Sequence, residues 1–198
     1  LSIIMSALGL SHRSLGGILL IAAVFGFGNN IDPNSVPNPA NAYGQSKLDG
    51  ETYIQLLQNT CSTEIIRSAN VFGYNRMVRL DGVINAFVFN TLVNNEIKIY
   101  GDGEQSRAFV SLENIVNQLL ASLTTLTKEA SINFVADFNA TMNELKEGLL
   151  EKNPELTYTY LNQNQSFEGQ SFVGVNALNS SLSQLEDCFN SFHSNVIF

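Results

Sequence analysis

The feature that most restricts the fold is an uninterrupted apolar run near the start of the sequence, from Gly17 to Phe27. This run is too short to cross a bilayer, which needs about 20 apolar residues. It is typical of a fully buried parallel strand, which lacks alternation of polar and apolar residues. It also fits the apolar segment of a secretory signal, with Arg13 as the charged flank. The run alone leaves both interpretations open.

Apolar periodicity and turn residues predict further elements downstream. A loop rich in proline and asparagine covers residues 29–41, and Gly101 to Gly103 forms a turn. A capping box at Thr141 to Glu144 predicts the start of a helix. The predicted strands are Glu64 to Phe72, Glu96 to Tyr100, Ser131 to Ala136 and Leu156 to Leu161, and the predicted helices include Gly82 to Leu92, Leu112 to Leu123 and Ser181 to Phe192.

The stretch with the clearest chemistry is Asn41 to Glu51. Tyr43 and Lys47 are four residues apart at the start of a helical pattern that continues to about Gln58, so both fall on one helix face. A phenol has a reference pKa of about 10, and a nearby ammonium group favours its phenolate form. Such a pair can exchange a proton with a sugar hydroxyl or carbonyl. The same spacing also occurs on ordinary solvated helices.

Motifs along the chain resemble the extended short-chain dehydrogenase/reductase family, the nucleotide-sugar epimerases and dehydratases. Tyr-Gly-Gln-Ser-Lys-Leu-Asp-Gly-Glu, starting at Tyr43, is similar to the active-site helix of that family. The other matching stretches are Val24-Phe25-Gly26, Arg67-x-x-Asn-Val-Phe-Gly, and Gly101-Asp-Gly followed by Arg107-Ala-Phe-Val-Ser. Because Val24-Phe25-Gly26 resembles the end of the strand that precedes the active-site helix, the resemblance favours the buried strand over the secretory signal.

The resemblance implies roles for six residues. Tyr43 is expected to move a proton, and Lys47 to support it; both are expected to contact the ribose of NAD or NADP. Asn70 and Arg107 are expected to hold the diphosphate of the substrate, since a guanidinium suits bidentate phosphate contacts. Lys98 and Tyr100 are expected to line the base pocket. The alternatives from the residues alone are a turn-forming asparagine for Asn70 and a surface salt bridge for Arg107.

Several departures from the family pattern bear on catalysis. Ile21 stands where the family has a serine or threonine that hydrogen-bonds the sugar oxygen, and Ala22-Ala23 disfavours a dehydratase. The stretch from Ser166 to Gln170 lacks the second phosphate-binding arginine that the family usually has. The Gly-x-x-Gly-x-x-Gly turn that binds the cofactor pyrophosphate does not occur in the sequence. We therefore expect the chain to correspond to the carboxyl-terminal part of such a protein and, on its own, neither to hold NAD nor to be active.

The expected fold is α/β: an incomplete Rossmann-like parallel sheet with a smaller mixed α/β substrate-binding lobe. Residues 1–80 are assigned to the Rossmann part with the active-site helix, and residues 81–198 mainly to the lobe, with some elements returning to the sheet. The complete protein is expected to be an NAD(P)-dependent enzyme that acts on a nucleotide-activated sugar, with an epimerase as the first candidate. The alternative is a catalytically silent binding or scaffold protein on the same fold.

Composition restricts the partners. A formal net charge of −8 and a sequence pI near 4.6 disfavour a nucleic-acid binder, because phosphate repulsion is not offset. Cys61 and Cys188 lie far apart, with only His12 and His193 as further candidate ligands, so neither a metal site nor a disulfide framework is expected. The resemblance implies a cytoplasmic homodimer without membrane attachment. A secreted adhesin-like domain, suggested by the apolar start and the asparagine content, is a third hypothesis.

Overall fold

The computed structural model describes residues 17–23, 30–31, 35–39, 41–57, 62–75, 78–125, 131–162, 164, 167, 169–177 and 182–196. Strands and helices alternate along this part of the chain. The strands are β1 (Gly17–Ala23), β2 (Asn30–Ile31), β3 (Ser62–Ser68), β4 (Asn70–Phe72), β5 (Glu96–Tyr100), β6 (Ser106–Ser111), β7 (Ser131–Val135), β8 (Phe138–Thr141), β9 (Thr157–Leu161), β10 (Ser171–Phe172) and β11 (Asn176–Ala177). The helices are α1 (Ala42–Leu56), α2 (Val83–Val93), α3 (Leu112–Thr125), α4 (Met142–Lys152) and α5 (Leu182–Val196).

A three-stranded parallel sheet, in the order β1-β3-β7, confirms the predicted α/β fold with Rossmann-like strands. The apolar run at residues 17–27 forms a strand over Gly17–Ala23, as predicted. The Val24-Phe25-Gly26 motif and the burial of the side chains of β1 lie outside what the structure describes. In β3 the central residues Ile65 and Ile66 are almost completely buried, which a strand covered on both faces requires.

A second, mixed sheet has the order β11-β8-β6-β4, with β6 and β8 antiparallel. The strands β5 and β9 form a separate parallel pair. Helices α2, α4 and α5 pack with these strands around one apolar cluster. Its largest fully buried side chains include Phe109, Phe138 and Phe192. The burial of such aromatic groups supplies much of the free energy that holds these elements together.

The predicted single strand from Glu64 to Phe72 is wrong in one respect. The chain forms two strands, β3 and β4, which belong to different sheets. The break falls at Ala69, whose backbone N–H donates to the carbonyl oxygen of Val135 at 2.9 Å. From Asn70 onward the backbone pairs with β6 instead. The segment predicted as one strand therefore crosses a change of sheet, which periodicity cannot reveal.

Other differences concern short strands. Residues 138–141 form β8, a strand that was not predicted from the sequence, and it pairs with β6. The loop expected at residues 29–41 contains β2, which pairs with β10. The strand β6 was not predicted from the sequence, although three buried residues, Ala108, Phe109 and Val110, occupy its centre. Backbone pairing to distant strands decides these elements, and single-sequence propensity carries little of that information.

Several predicted boundaries are confirmed by specific contacts. The side chain of Asn41 caps α1 by accepting a hydrogen bond from the N–H of Gly44 at 2.9 Å. The capping box at Thr141 and Glu144 is present at the start of α4. The predicted turn after β5 contains Gly103 at a φ of +81°, and a Cβ there would lie 2.3 Å from Oδ1 of Asn143. The positive φ favours glycine there, and a larger residue would also have to displace the side chain of Asn143.

The apolar stripe of α3 is only partly buried. Ile115 lies in the core, but Val116 and Leu120 are exposed. In α5, Leu185 and Phe192 are buried, whereas the side chain of Leu182 lies outside the described residues. Among the helices that the structure describes, none has the length and apolar character needed to cross a bilayer.

Candidate functional site

A cavity of about 820 Å³ lies where α1, β4, β5, β6 and the segment before α2 meet. Its walls combine aromatic and aliphatic groups with a few charged side chains, as small-molecule sites generally do. Five of the six residues predicted from the sequence line this cavity: Tyr43, Asn70, Lys98, Tyr100 and Arg107. Lys47 does not belong to its lining but lies one helical turn from Tyr43.

Tyr43 lies in the first turn of α1, and its side chain is about half exposed, at 51%. The Nζ atom of Lys47 lies 5.1 Å from the centroid of the Tyr43 ring. The pair therefore shares one helix face, as the spacing predicted, and the ammonium group contacts the face of the ring. The amide groups at a helix N-terminus attract negative charge. Tyr43 therefore lies between two sources of positive potential, the start of α1 and the ammonium group of Lys47.

A buried ion pair fixes the Tyr43 helix to the parallel sheet. Nε of Arg67 donates to Oε1 of Glu51 at 2.9 Å, and its Nη2 donates to Oε2 at 2.6 Å. Only 6% of the Arg67 side chain and 7% of the Glu51 side chain are exposed. The guanidinium also lies 5.3 Å from the ring of Phe134 on β7. The pair thus joins α1 to β3 just before the chain turns into β4.

Asn70 is the first residue of β4 and lies at the edge of the cavity. Its Nδ2 donates to the carbonyl oxygen of Ala108 at 3.0 Å, which ties β4 to β6. Asn70 therefore begins a strand and does not form the turn considered as its alternative. Its amide group is held in one orientation next to Arg107, the neighbour of Ala108 in sequence.

Lys98 and Tyr100 owe their position to the alternation of β5. Ile97 and Ile99 point into the core and are each only 1% exposed, so the intervening side chains point outward into the cavity. Arg107 on β6 is half-buried, and its Nη1 donates to the carbonyl oxygen of Ser106 at 3.0 Å. Burial lowers the pKa of Arg107 from its usual range. A guanidinium keeps its charge in proteins, so Arg107 remains a cation on the cavity wall.

Several residues of the cavity were not predicted from the sequence. Arg79 and Asp81 form an ion pair on its wall, and Gln105 lies next to Tyr100. Nε2 of Gln105 donates to the carbonyl oxygen of Tyr100 at 2.8 Å. Its Oε1 atom is buried without a hydrogen-bond partner among the described residues. An arginine two residues from an aspartate in a loop carries no distinctive signal, so the pattern alone could not identify the pair.

The described residues contain no group of three or more histidine, cysteine, aspartate or glutamate side chains arranged to hold a metal ion. Cys188 is buried and not part of a disulfide. Cys61, which was considered with it, lies outside the described residues. Burial raises the pKa of the Cys188 thiol to about 12.

Residues 22–135 match the NAD dependent epimerase/dehydratase family. This match covers more than half of the chain and spans Tyr43, Asn70 and Arg107. The chain belongs to the NAD dependent epimerase/dehydratase family. The resemblance inferred from the sequence motifs is thereby confirmed.

Individual relatives of this epimerase/dehydratase chain agree with that assignment. It is 34% identical over 128 residues to a protein named putative UDP-glucose 4-epimerase from Methanocaldococcus jannaschii, covering 62% of this chain and 41% of the relative. It is 31% identical over 139 residues to UDP-glucuronic acid decarboxylase 1 of Xenopus tropicalis, covering 61% of this chain and 31% of the relative. The chain thus spans well under half the length of these relatives.

The fold of the epimerase/dehydratase chain is shared with solved structures. MoeE5, solved in complex with UDP-glucose and NAD, superimposes with a TM-score of 0.75 over 91% of this chain and 66% of MoeE5. Their sequences are 18% identical, so this similarity concerns the fold alone.

Proposed function

We propose that the protein is an NAD(P)-dependent oxidoreductase of the epimerase/dehydratase type that acts on a nucleotide-activated sugar, with an epimerase as the first candidate. The observation that carries the proposal is the convergence of Tyr43, Asn70, Lys98, Tyr100 and Arg107 on one cavity. These residues come from four separate elements and were selected from sequence motifs alone. The names of the relatives, which refer to UDP-sugars, support the same substrate class.

The cationic and aromatic groups of the cavity fit a nucleotide diphosphate. Arg107 and Lys98 supply positive charge for the phosphates, and Arg107 also offers a planar set of donors. Tyr100 offers a ring face for the base, and Asn70 is held beside Arg107 by its bond to the backbone of β6. In this proposal the nucleotide is anchored by β4, β5 and β6, and the sugar extends toward Tyr43.

The Tyr43 hydroxyl is proposed to move the proton of the sugar hydroxyl that is oxidised and reduced again. Lys47 lies against the ring and supplies a positive charge near the phenolate that forms. The donors of this pair also fit the ribose hydroxyls of NAD or NADP, so Tyr43 and Lys47 would hold that end of the cofactor. The chemistry that the bound cofactor supplies is hydride transfer. The partly exposed position of Tyr43 leaves its hydroxyl accessible to both ligands.

We assign residues 1–80 to the remaining part of the cofactor-binding domain and residues 81–198 mainly to the substrate-binding lobe. The parallel strands β1 and β3 fall in the first part, while β7 from the second part returns to the same sheet. We further propose that the complete protein is a cytoplasmic homodimer, as the family resemblance implies.

A catalytically silent binding protein is the second candidate, and Ile21 favours it. Ile21 lies in β1, paired with Ile66 of β3, at the position where the family pattern has a hydroxyl side chain. Without that hydroxyl the reacting sugar oxygen has fewer partners, although Tyr43 and Lys47 are both present.

Turnover measurements with a matched tyrosine control test the proposal. The protein is expressed from its complete gene and incubated with UDP-glucose and NAD, and the UDP-sugars are separated by chromatography. Tyr43→Phe should lower kcat by about 10²-fold or more, the range for removal of a general acid–base group. Tyr53→Phe on the same helix is the control, because Tyr53 is 70% exposed and does not line the cavity. Equal turnover in both variants would contradict the catalytic role of Tyr43.

A further inference from the structure

An ion pair that the proposed mechanism does not use lies on the cavity wall. Nε of Arg79 donates to Oδ1 of Asp81 at 3.0 Å, and Nη2 of Arg79 donates to Oδ2 of the same carboxylate. The two side chains are 81% and 64% exposed, yet both belong to the lining of the 820 Å³ cavity. A bidentate contact of this kind holds both planar groups in one orientation.

The loop that carries this pair is fixed by a buried asparagine. Nδ2 of Asn85 donates to the carbonyl oxygen of Arg79 at 3.1 Å. Oδ1 of Asn85 accepts a hydrogen bond from the backbone N–H of Gly73 at 2.9 Å. Asn85 is only 5% exposed, so these bonds are shielded from water. The backbone of Arg79 is therefore anchored to the end of β4, and the ion pair is organised before a ligand arrives.

The pair shares its cavity with Tyr43, whose hydroxyl marks the reacting carbon of the sugar in the proposed function. Lys98 on β5 and Arg107 on β6 are the cations assigned there to the diphosphate. Among the charged groups of the described lining, Arg79 and Asp81 are therefore the ones left to contact the sugar.

The charges of the described cavity walls suit a substrate whose only charge is on its diphosphate. The charged residues of the lining are Arg79, Asp81, Lys98 and Arg107, three cations and one anion. Since Arg79 is neutralised by Asp81, the two remaining cations match the two negative charges of a sugar-nucleotide diphosphate. A further carboxylate on the sugar would approach Asp81, and the described cavity walls hold no fourth cation to balance it, since Lys47 lies outside the lining.

We propose that Arg79 and Asp81 together bind neighbouring hydroxyl groups of the sugar and select an uncharged hexose over a hexuronic acid. The guanidinium donates to one hydroxyl oxygen, and the carboxylate accepts from the next hydroxyl. Asp81 also disfavours a sugar carboxylate through like charge, a repulsive element of the kind that specificity often requires. The inference rests on the proposed function, because it assumes that a nucleotide sugar occupies this cavity.

Calorimetric titrations of the protein from its complete gene separate the inference from the function on which it rests. The probes are UDP, UDP-glucose and UDP-glucuronic acid, and the variants are Arg79→Ala, Asp81→Ala and Asp81→Asn. Glu186→Gln is the control, because Glu186 forms an exposed ion pair with Lys152 that does not line the cavity. All substituted side chains are exposed, so the variants should fold.

We expect the substitutions to lower the affinity for UDP-glucose and to leave the affinity for UDP almost unchanged. Arg79→Ala and Asp81→Ala should each weaken UDP-glucose binding about 10-fold and leave UDP binding within about twofold. UDP-glucuronic acid should bind about 10-fold more weakly than UDP-glucose, and Asp81→Asn should narrow that difference. The inference would be overturned if the Arg79 and Asp81 variants lost affinity equally for UDP and UDP-glucose, or lost none for either. It would also be overturned if UDP-glucuronic acid bound more tightly than UDP-glucose. If none of the three probes binds, the proposed function itself fails.

Discussion

The buried pair between Glu51 and Arg67 allows a quantitative prediction, since both side chains are more than nine-tenths buried and make two direct hydrogen bonds. Glu51→Gln keeps the shape of the side chain but removes its charge. At a separation of roughly 3 Å and an effective dielectric constant of about 20, the lost attraction is about 5 kcal/mol. The glutamine oxygen still accepts one hydrogen bond, which recovers about 1 kcal/mol. The expected decrease in the free energy of unfolding is therefore about 3–5 kcal/mol, the range measured when one partner of a buried ion pair is removed.

The matched control is the same substitution in an exposed pair. Nζ of Lys152 lies 2.7 Å from Oε1 of Glu186, and the two side chains are 37% and 47% exposed. Glu186→Gln should lower the free energy of unfolding by no more than about 1 kcal/mol, because solvent screens this pair. A double variant, Glu51→Leu with Arg67→Met, should recover most of the loss, since it leaves no unpaired buried charge.

Urea denaturation followed by circular dichroism measures these differences, as the chain has no tryptophan. Glu51→Gln should clearly lower the urea concentration at the unfolding midpoint. The dependence of the unfolding free energy on urea concentration should change little. The reasoning would be refuted by a loss no larger than that of Glu186→Gln. Because the pair fixes α1 to β3, the destabilised variant should also bind nucleotide sugar less tightly under native conditions, through displacement of Tyr43.

Three further predictions concern the site and the core. Arg107→Ala should weaken nucleotide-sugar binding by about 1.5–3 kcal/mol, the scale of a charged hydrogen bond; unchanged affinity by calorimetry would exclude the diphosphate role. Ile21→Ser should raise turnover while lowering stability, because it places a hydroxyl on an apolar strand. If Ile21→Ser does not raise turnover and Tyr43→Phe does not lower it, the result would support the non-catalytic alternative. Because burial raises the pKa of Cys188 from 9.0 to about 12, its contribution to stability is complete below pH 9.0 and is lost as pH rises toward 12. The loss should approach about 1.4 kcal/mol per pH unit, and Cys188→Ala should abolish that component in urea titrations at successive pH values.

The sequence predicted the elements whose signal is local. The helix that carries Tyr43 and Lys47 begins at an asparagine cap, and the strand β5 has a clear alternation. Both therefore appear where the sequence placed them. The capping box at Thr141 and Glu144 likewise depends on residues three apart, and the structure contains it. Local patterns of this kind fix helix starts and side-chain direction without knowledge of the rest of the chain.

The elements that the sequence did not predict depend on distant partners. β6 and β8 form because their backbones pair with each other, and the Ala69 break forms because its N–H donates to Val135. The ion pair of Arg79 and Asp81 lines the site on a loop that Asn85 links to Gly73. Such long-range contacts leave no periodic signal in one sequence.

The change of sheet at Ala69 explains why residues from separate motifs meet at one cavity. Up to Ser68 the chain lies in the parallel sheet, where Arg67 holds the helix of Tyr43 through Glu51. From Asn70 onward it lies in the second sheet, beside the strand of Arg107. One residue thus separates the part that fixes Tyr43, the proposed proton-transfer group, from the part that fixes Arg107, the proposed diphosphate contact. Since neither sheet can shift without moving this junction, the distance between the two functions is set by the backbone and not by the flexible side chains.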